Sequence, residues 1–123
     1  MNMIEGELRI ESGNPIFTGP GIAIALPQAS VHMPVGKQAT LGVRPEDIAL
    51  VAPDTPGAIA ARVTVSELTG AERYHFVTMG GGSVIIRTPA STVLHPGENV
   101  ALGLHPDRLH LFGGAGEDAA ALR

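Results

Sequence analysis

A chain of 123 residues has room for one compact domain or two small intimate halves, and too little for a separate catalytic lobe. Its apolar fraction of 44% rests on Val, Ile, Leu and Ala, because aromatic residues supply only 3%, so the interior must be aliphatic. Twelve acidic against eight scattered basic residues give a net charge of −4, which opposes a nucleic-acid partner, and the lack of cysteine removes disulfides, thiolate metal sites and cysteine nucleophiles.

Met1-Asn2-Met3-Ile4-Glu5 carries neither the basic nor the apolar region of a secretory signal, and no apolar run approaches the roughly 18 residues that cross a bilayer. A cytoplasmic chain without direct membrane insertion is the expectation. Alternation begins at once, with Ile4, Gly6, Leu8 and Ile10 on one side and Glu5, Glu7, Arg9 and Glu11 on the other, the mark of a half-buried strand. Similar runs follow at Ile22-Ile24-Leu26, Ala39-Leu41-Val43, Ile59-Ala61-Val63-Val65, Val84-Ile86 and Val100-Leu102-Leu104. Sixteen glycines and ten prolines punctuate them, and Gly80-Gly81-Gly82 reads as a hairpin turn. About ten short strands are predicted. Residues 113–123 read as a flexible tail in which only Glu117 to Leu122 has helical character.

The segment from Gly36 to Leu50, with Leu41-Gly42-Val43-Arg44-Pro45-Glu46 at its centre, is repeated 61 residues on, from Gly97 to Leu111, with Leu102-Gly103-Leu104-His105-Pro106-Asp107. Each copy reads as a glycine turn, an alternating strand, a proline followed by an acid, and a second short strand. Proline fixes φ and lacks an amide donor, so it ends or bends the strand at the same point in both copies. Duplication of a unit of about five strands follows, with halves at about 1–56 and 57–112. Small aliphatic strands with glycines at Gly42 and Gly103 suggest OB-like barrels curved by bulges. One half alone exposes sheet edges; packing the halves together, with or without exchanged strands, removes that liability.

No reaction centre emerges. Gly36-Lys37 lacks the earlier glycine of a phosphate-binding loop, since Val31 stands there, and Gly113-Gly114-Ala115-Gly116 lies too near the chain end for a dinucleotide fold. His105, Asp107 and His110 are close enough in sequence for a mixed metal site, but nothing like it recurs in the first copy, so these histidines, like His32, His75 and His95, read as solvated or strand-face residues. Ser12, Ser30, Ser66, Ser83 and Ser91 sit in no activated setting, and Glu46-Asp47 and Glu117-Asp118 are adjacent rather than facing. Phe17, Tyr74, Phe76 and Phe112 read as core rings, not stacking platforms. No catalytic residue, cofactor or metal is assigned. A small ligand such as an oxyanion or sugar, held by backbone amides of glycine turns, is the alternative to a purely interacting domain.

Leu41-Gly42-Val43-Arg44-Pro45-Glu46-Asp47-Ile48 resembles the L-G-[IV]-R-P-E-x-[IL] signature of the transport-associated OB (TOBE) domain in maltose-type and glycerol-phosphate-type ABC importer ATPases. Val65-Ser66-Glu67-Leu68-Thr69-Gly70-Ala71-Glu72 is similar to a second segment of that family in its Leu, Gly and Glu, with Thr69 intervening. Leu104-His105-Pro106-Asp107-Arg108-Leu109-His110-Leu111-Phe112 resembles its terminal F-D-P-E-R-L-H-L-F run, with His105 a departure. Met1-Asn2-Met3-Ile4 is similar to the junction where the ATPase domain hands over. The resemblance covers Met1 to Phe112 and omits the Walker sequences, so ATP hydrolysis does not carry over. It implies a regulatory C-terminal domain, peripheral to a membrane transporter, that contacts a second copy of itself through the ATPase dimer and in some members receives a regulatory protein. Arg44, Pro45, Glu46, Glu72 and Arg87 are the expected interface or turn-stabilising residues, because long charged side chains among strands gather at rims or in pairs.

Overall fold

The computed structural model describes residues 1–26, 38–80, 82–113 and 120–121. Eleven strands lie among them: β1 (Asn2–Glu11), β2 (Asn14–Gly19), β3 (Ile22–Ala25), β4 (Gln38–Val43), β5 (Ile48–Val51), β6 (Ile59–Thr69), β7 (Glu72–Met79), β8 (Gly82–Pro89), β9 (Asn99–Leu104), β10 (His110–Gly113) and β11 (Ala120–Ala121). They form two antiparallel sheets, in the orders β11-β10-β4-β1-β2-β3 and β5-β9-β6-β7-β8. No helix among the described residues is long and apolar enough to cross a membrane. The helical reading of the tail gives way at Ala120–Ala121, where two residues pair with Phe112 and Gly113 instead; residues 117–119 and 122 lie outside the described residues.

The last strand of each half joins the other half's sheet. β10 pairs with β4, setting Gly42 opposite His110 and Leu41 opposite Leu111. At 61 residues' remove, β5 pairs with β9, setting Gly103 opposite Ala49 and Leu102 opposite Leu50. The two ladders therefore have the same register. Between the strands of each unit, Pro45 and Pro106 open short 3-10 turns, Pro45–Asp47 and Pro106–Arg108, closed by Asp47 N–H to the Arg44 carbonyl and Arg108 N–H to the His105 carbonyl, both at 2.9 Å.

One apolar cluster runs through both sheets, joining Leu8, Phe17, Leu41 and Leu111 to Val63, Val77, Ile86 and Leu102. Full burial of each such side chain contributes about 1.5–3 kcal/mol. Only Phe17 of the four rings is fully buried. Tyr74, Phe76 and Phe112 are half-buried on outer faces, since the inward phase of β7 belongs to His75, Val77 and Met79 and that of β10 to Leu111. Nor does the inward phase of β6 extend to Val65. A bulge between Val63 and Val65 turns Val65 outward and brings Ser66 inward opposite His75. Gly42 and Gly103 lie in unbroken ladders rather than at bulges. A side chain at Gly42 would press on the Phe112 ring and Met1, and one at Gly103 on Val51, so both glycines make room for the visiting strand.

The hairpin tips of the two halves also meet. Gly21 and Gly80 both have positive φ, and a Cβ on Gly80 would collide with the Pro20 carbonyl while one on Gly21 would lie 2.8 Å from the Gly80 Cα. His75 is completely buried near this second-half core. Its Nδ1 is 2.7 Å from the Ser66 hydroxyl and its Nε2 2.8 Å from the Thr88 hydroxyl, and these hydroxyls face the Leu94 and Pro89 carbonyls at 3.3 and 3.2 Å. Two hydroxyls and a neutral ring hold three protons for four bonds, so a second ring proton would complete the chain. Burial outweighs that gain: desolvation, then the nearby Arg73 cation, hold the His75 pKa below its ordinary 6.5, with Glu98 opposing.

Gly80→Ala is expected to destabilise the chain by about 3 kcal/mol, through backbone collision and positive φ. Gly82→Ala, whose Cβ meets nothing within 4 Å, should change stability by no more than about 0.5 kcal/mol; urea denaturation of both checks the tip contact. For His75 the folded pKa is depressed, so acid protonates the unfolded chain first. Stability should fall as pH drops below about 6.5 and level off once the folded ring also titrates. His75→Gln should flatten that part of a melting-temperature profile, and an unchanged profile would rule out His75 as its source.

Candidate functional site

Three of the five residues singled out from sequence come together on the seam between the halves. Arg87 on β8 sets its Nε 3.0 Å from a Glu72 carboxylate oxygen on β7 and its Nη2 4.0 Å from one of Glu46 in the first 3-10 turn. Tyr74, the cross-strand partner of Arg87, joins them. Its hydrogen bond is the main cause holding the guanidinium pKa above the usual arginine range, with Glu72 and Glu46 adding to it. The cluster ties a turn of the first half to the edge strand of the second. The side chains of Arg87, Glu46 and Glu72 remain a third or more exposed, so the cluster braces a surface rather than enclosing a reaction space.

Pro45 opens the 3-10 turn that carries Glu46, and Arg44 precedes it with an extended backbone. Arg44 is exposed and has no ion pair among the described residues. At the equivalent turn, His105 Nδ1 accepts the Asp107 N–H at 3.2 Å and lies 3.9 Å from the Asp107 carboxylate, both side chains being well exposed. Among the described residues no three potential metal ligands cluster.

On the outer face of the same sheet, beside Arg87, runs an apolar row. Val65 opposes Phe76, and Phe76 opposes Ile85. Val65 is 48% exposed, and Phe76 and Ile85 are half-buried. Glu67, Tyr74 and Arg87 form the next row, so an apolar centre borders a charged rim.

Two clefts lie where the halves meet. One, of about 380 Å³, is bounded by Met3, Glu5, Thr40, Ser83 and Val84. The other, of about 480 Å³, is bounded by β3, β5, the 55–58 segment and the end of β9, with Asp47 and His105 on its wall. Neither is lined by Lys or Arg. The first sits near the Asn2 side chain, whose Nδ2 donates to the Ile85 carbonyl and whose Oδ1 accepts the Ile85 N–H, each at 2.8 Å. Asn2, Tyr74 and His75 were not legible as site residues. For His75 the inward phase of β7 is a usable signal; for Asn2, bonded across 83 positions, the sequence offers none.

The sequence matches the TOBE domain over residues 41–112 and the MalK OB fold domain over residues 1–48. The ABC transporter ATP-binding protein YcjV of Escherichia coli strain K12 is 35% identical over 91 residues, covering 74% of this chain and 24% of the relative. The sn-glycerol-3-phosphate import ATP-binding protein UgpC of Chromobacterium violaceum is 29% identical over 112 residues, covering 91% and 30%. The spermidine/putrescine import ATP-binding protein PotA of Pseudomonas fluorescens is 35% identical over 89 residues, covering 72% and 24%. The chain thus spans 24–30% of the length of these relatives, in their TOBE and OB portion and outside their ATPase domain. Among solved structures, the cytoplasmic molybdate-binding protein ModG with molybdate bound superimposes with a TM-score of 0.70 over 89% of this chain and 94% of that one. At 16% identity the likeness speaks for the fold alone. Both strand-turn-strand units that exchange partners reach into the matched span, and the chain belongs to the TOBE domain family of ABC importer ATP-binding proteins.

Proposed function

We propose that the chain is a non-catalytic regulatory and dimerisation domain of an ABC importer ATP-binding subunit, held at the cytoplasmic face of the membrane by the transporter it serves. The observation that carries this reading is the outer face of β6, β7 and β8, where the Val65, Phe76 and Ile85 row borders Glu67, Tyr74, Glu72 and Arg87. An apolar, partly aromatic centre beside a charged rim is the anatomy of a protein interface. A second copy in the parent ATPase dimer is the partner proposed, with Arg44, Pro45, Glu46, Glu72 and Arg87 as its rim and turn-stabilising residues. A regulatory protein is a further partner of the same kind of surface. Two such domains in contact keep the ATPase subunits at high effective concentration while they open and close. The cargo class proposed for the parent is a sugar or glycerol phosphate, by likeness to UgpC.

Sedimentation velocity over a range of concentrations should show a reversible dimer. Arg87→Glu, which places three carboxylates together, should weaken it at least tenfold with the circular dichroism spectrum unchanged. A strict monomer at the highest concentration would overturn self-association, and an Arg87→Glu dimer as tight as the parent would move the interface elsewhere.

A second reading, a small-oxyanion or sugar sensor, draws on the fold shared with ModG. The two seam clefts weigh against an oxyanion, since Glu5 and Asp47 line them without a balancing Lys or Arg. Melting temperature should therefore stay flat with molybdate, sulfate, phosphate and sugars; a rise that scales with one ligand's concentration would favour the sensor.

A further inference from the structure

The duplication makes the two edge strands β3 and β8 comparable residue by residue, and they differ in what covers them. Phe17 faces Ile24 in the first hairpin as Val77 faces Val84 in the second, so Ala25 is the counterpart of Ile85. Leu26 N–H bonds back to the Pro15 carbonyl, which fixes the phase: Leu26 and Ile24 turn toward β2, while Ala23 and Ala25 turn their N–H and C=O groups away from it. Ile85 has the same outward phase, and there the Asn2 carboxamide satisfies both backbone groups.

Among the described residues nothing comparable sits at Ala25. Ile4 opposes Leu41 as Ile59 opposes Leu102, so the counterpart of Asn2, two residues earlier, is Gly57. Gly57 has no side chain to offer, and a Cβ built there would meet nothing within 4 Å. Met1 and Phe112 both pack over Gly42, whereas the three atoms nearest a Cβ on its counterpart Gly103 all belong to Val51. The space left is the cleft of about 480 Å³, which Ala25, Gly57, Val51 and Gly103 all line. Among the described residues no group bonds the outward N–H and C=O of Ala25.

We propose that this cleft is a docking groove for an extended segment of a partner polypeptide that carries an Asn or Gln side chain. The carboxamide pairs with Ala25 as Asn2 pairs with Ile85, and an apolar neighbour covers Gly103 as Met1 covers Gly42. An extended segment, rather than a small solute, fits because Ala23 and Ala25 present two successive donor–acceptor pairs along an open edge, the arrangement that strand addition uses. The occupant of the matching edge is itself the start of a strand. Asp47 on the wall disfavours an acidic segment.

The test is a titration of the isotope-labelled full chain with N-acetyl-Met-Asn-Met-Ile-amide, which copies residues 1–4, followed by amide chemical shifts. Saturable shifts at Ala25, Gly57 and Gly103 are expected, with the Met-Asp-Met-Ile peptide binding at least tenfold more weakly because its carboxylate has no donor. Ala25→Pro removes the outward N–H without touching the bonds from β3 to β2 and should weaken binding at least tenfold. Gly57→Asn supplies a carboxamide in cis, at a φ of 78° that asparagine tolerates, and should weaken it likewise; it decides the matter if the proline variant does not fold. Absence of saturable shifts at Ala25, equal binding of the Asn and Asp peptides, or shifts at Ile85 in place of Ala25 would each overturn the proposal.

Discussion

The exchange of β5 and β10 between the halves is the constraint on which the rest of the molecule depends. Without β10, β4 would present an open edge, and the apolar stripe of Ala39, Leu41 and Val43 would lose Leu111. Without β5, β9 would be exposed in the same way. Neither half is complete alone, so the entropy of ordering one is recovered only when the other is ordered too, and the strands of the two halves are expected to fold together. Pro45 and Pro106 redirect the chain at the point of exchange. Gly42 and Gly103 let the arriving strand lie close, because any larger residue would strike Phe112 or Val51. The repeated residues are thus the ones that the crossing itself requires.

Much of the fold was legible because strand alternation, glycine and proline act locally. Ile22-Ile24, Ala39-Leu41-Val43 and Val84-Ile86 all face the core, and the repeat unit recurs with an identical register. Legibility stopped where one residue of slip changes a face. The bulge between Val63 and Val65 exchanges the fates of Val65 and Ser66, and no residue at that point announces it. Tyr74, Phe76 and Phe112 were misread for a related reason: apolar character suggests the core, but strand phase decides which side a ring takes. Of the site, Glu46, Glu72 and Arg87 were recognisable as long charged side chains among strands, whereas Tyr74 and Asn2 act across distances that no local pattern encodes.

Where the two copies diverge, the differences concern surface rather than backbone. Arg44 and His105 occupy the same position before their prolines, one exposed without an ion pair among the described residues and the other accepting a bond from its own turn. Asn2 and Gly57 occupy the same position before their strands, one bonded to a sheet edge and the other facing open space. Selection for folding acts on what both copies need. What only one copy has is not required by the strand exchange itself, and the asymmetric positions lie along the seam.

The charge arrangement on the outer face of β6–β8 shapes what can bind there. Arg87 is already committed to Tyr74, Glu72 and Glu46, so it serves as a fixed internal cation, and the cluster offers a partner more negative than positive charge. These groups are exposed, so their repulsion of a second copy carrying the same carboxylates fades over about 8 Å at physiological salt. The adjacent row of Val65, Phe76 and Ile85 is not screened by salt, because its attraction comes from burial of apolar area, which salts excluded from the surface strengthen. For the second copy proposed as partner, the carboxylates restrict approach and the apolar row supplies the attraction. Raising the ionic strength should hasten the encounter of two copies and leave the apolar contact in place.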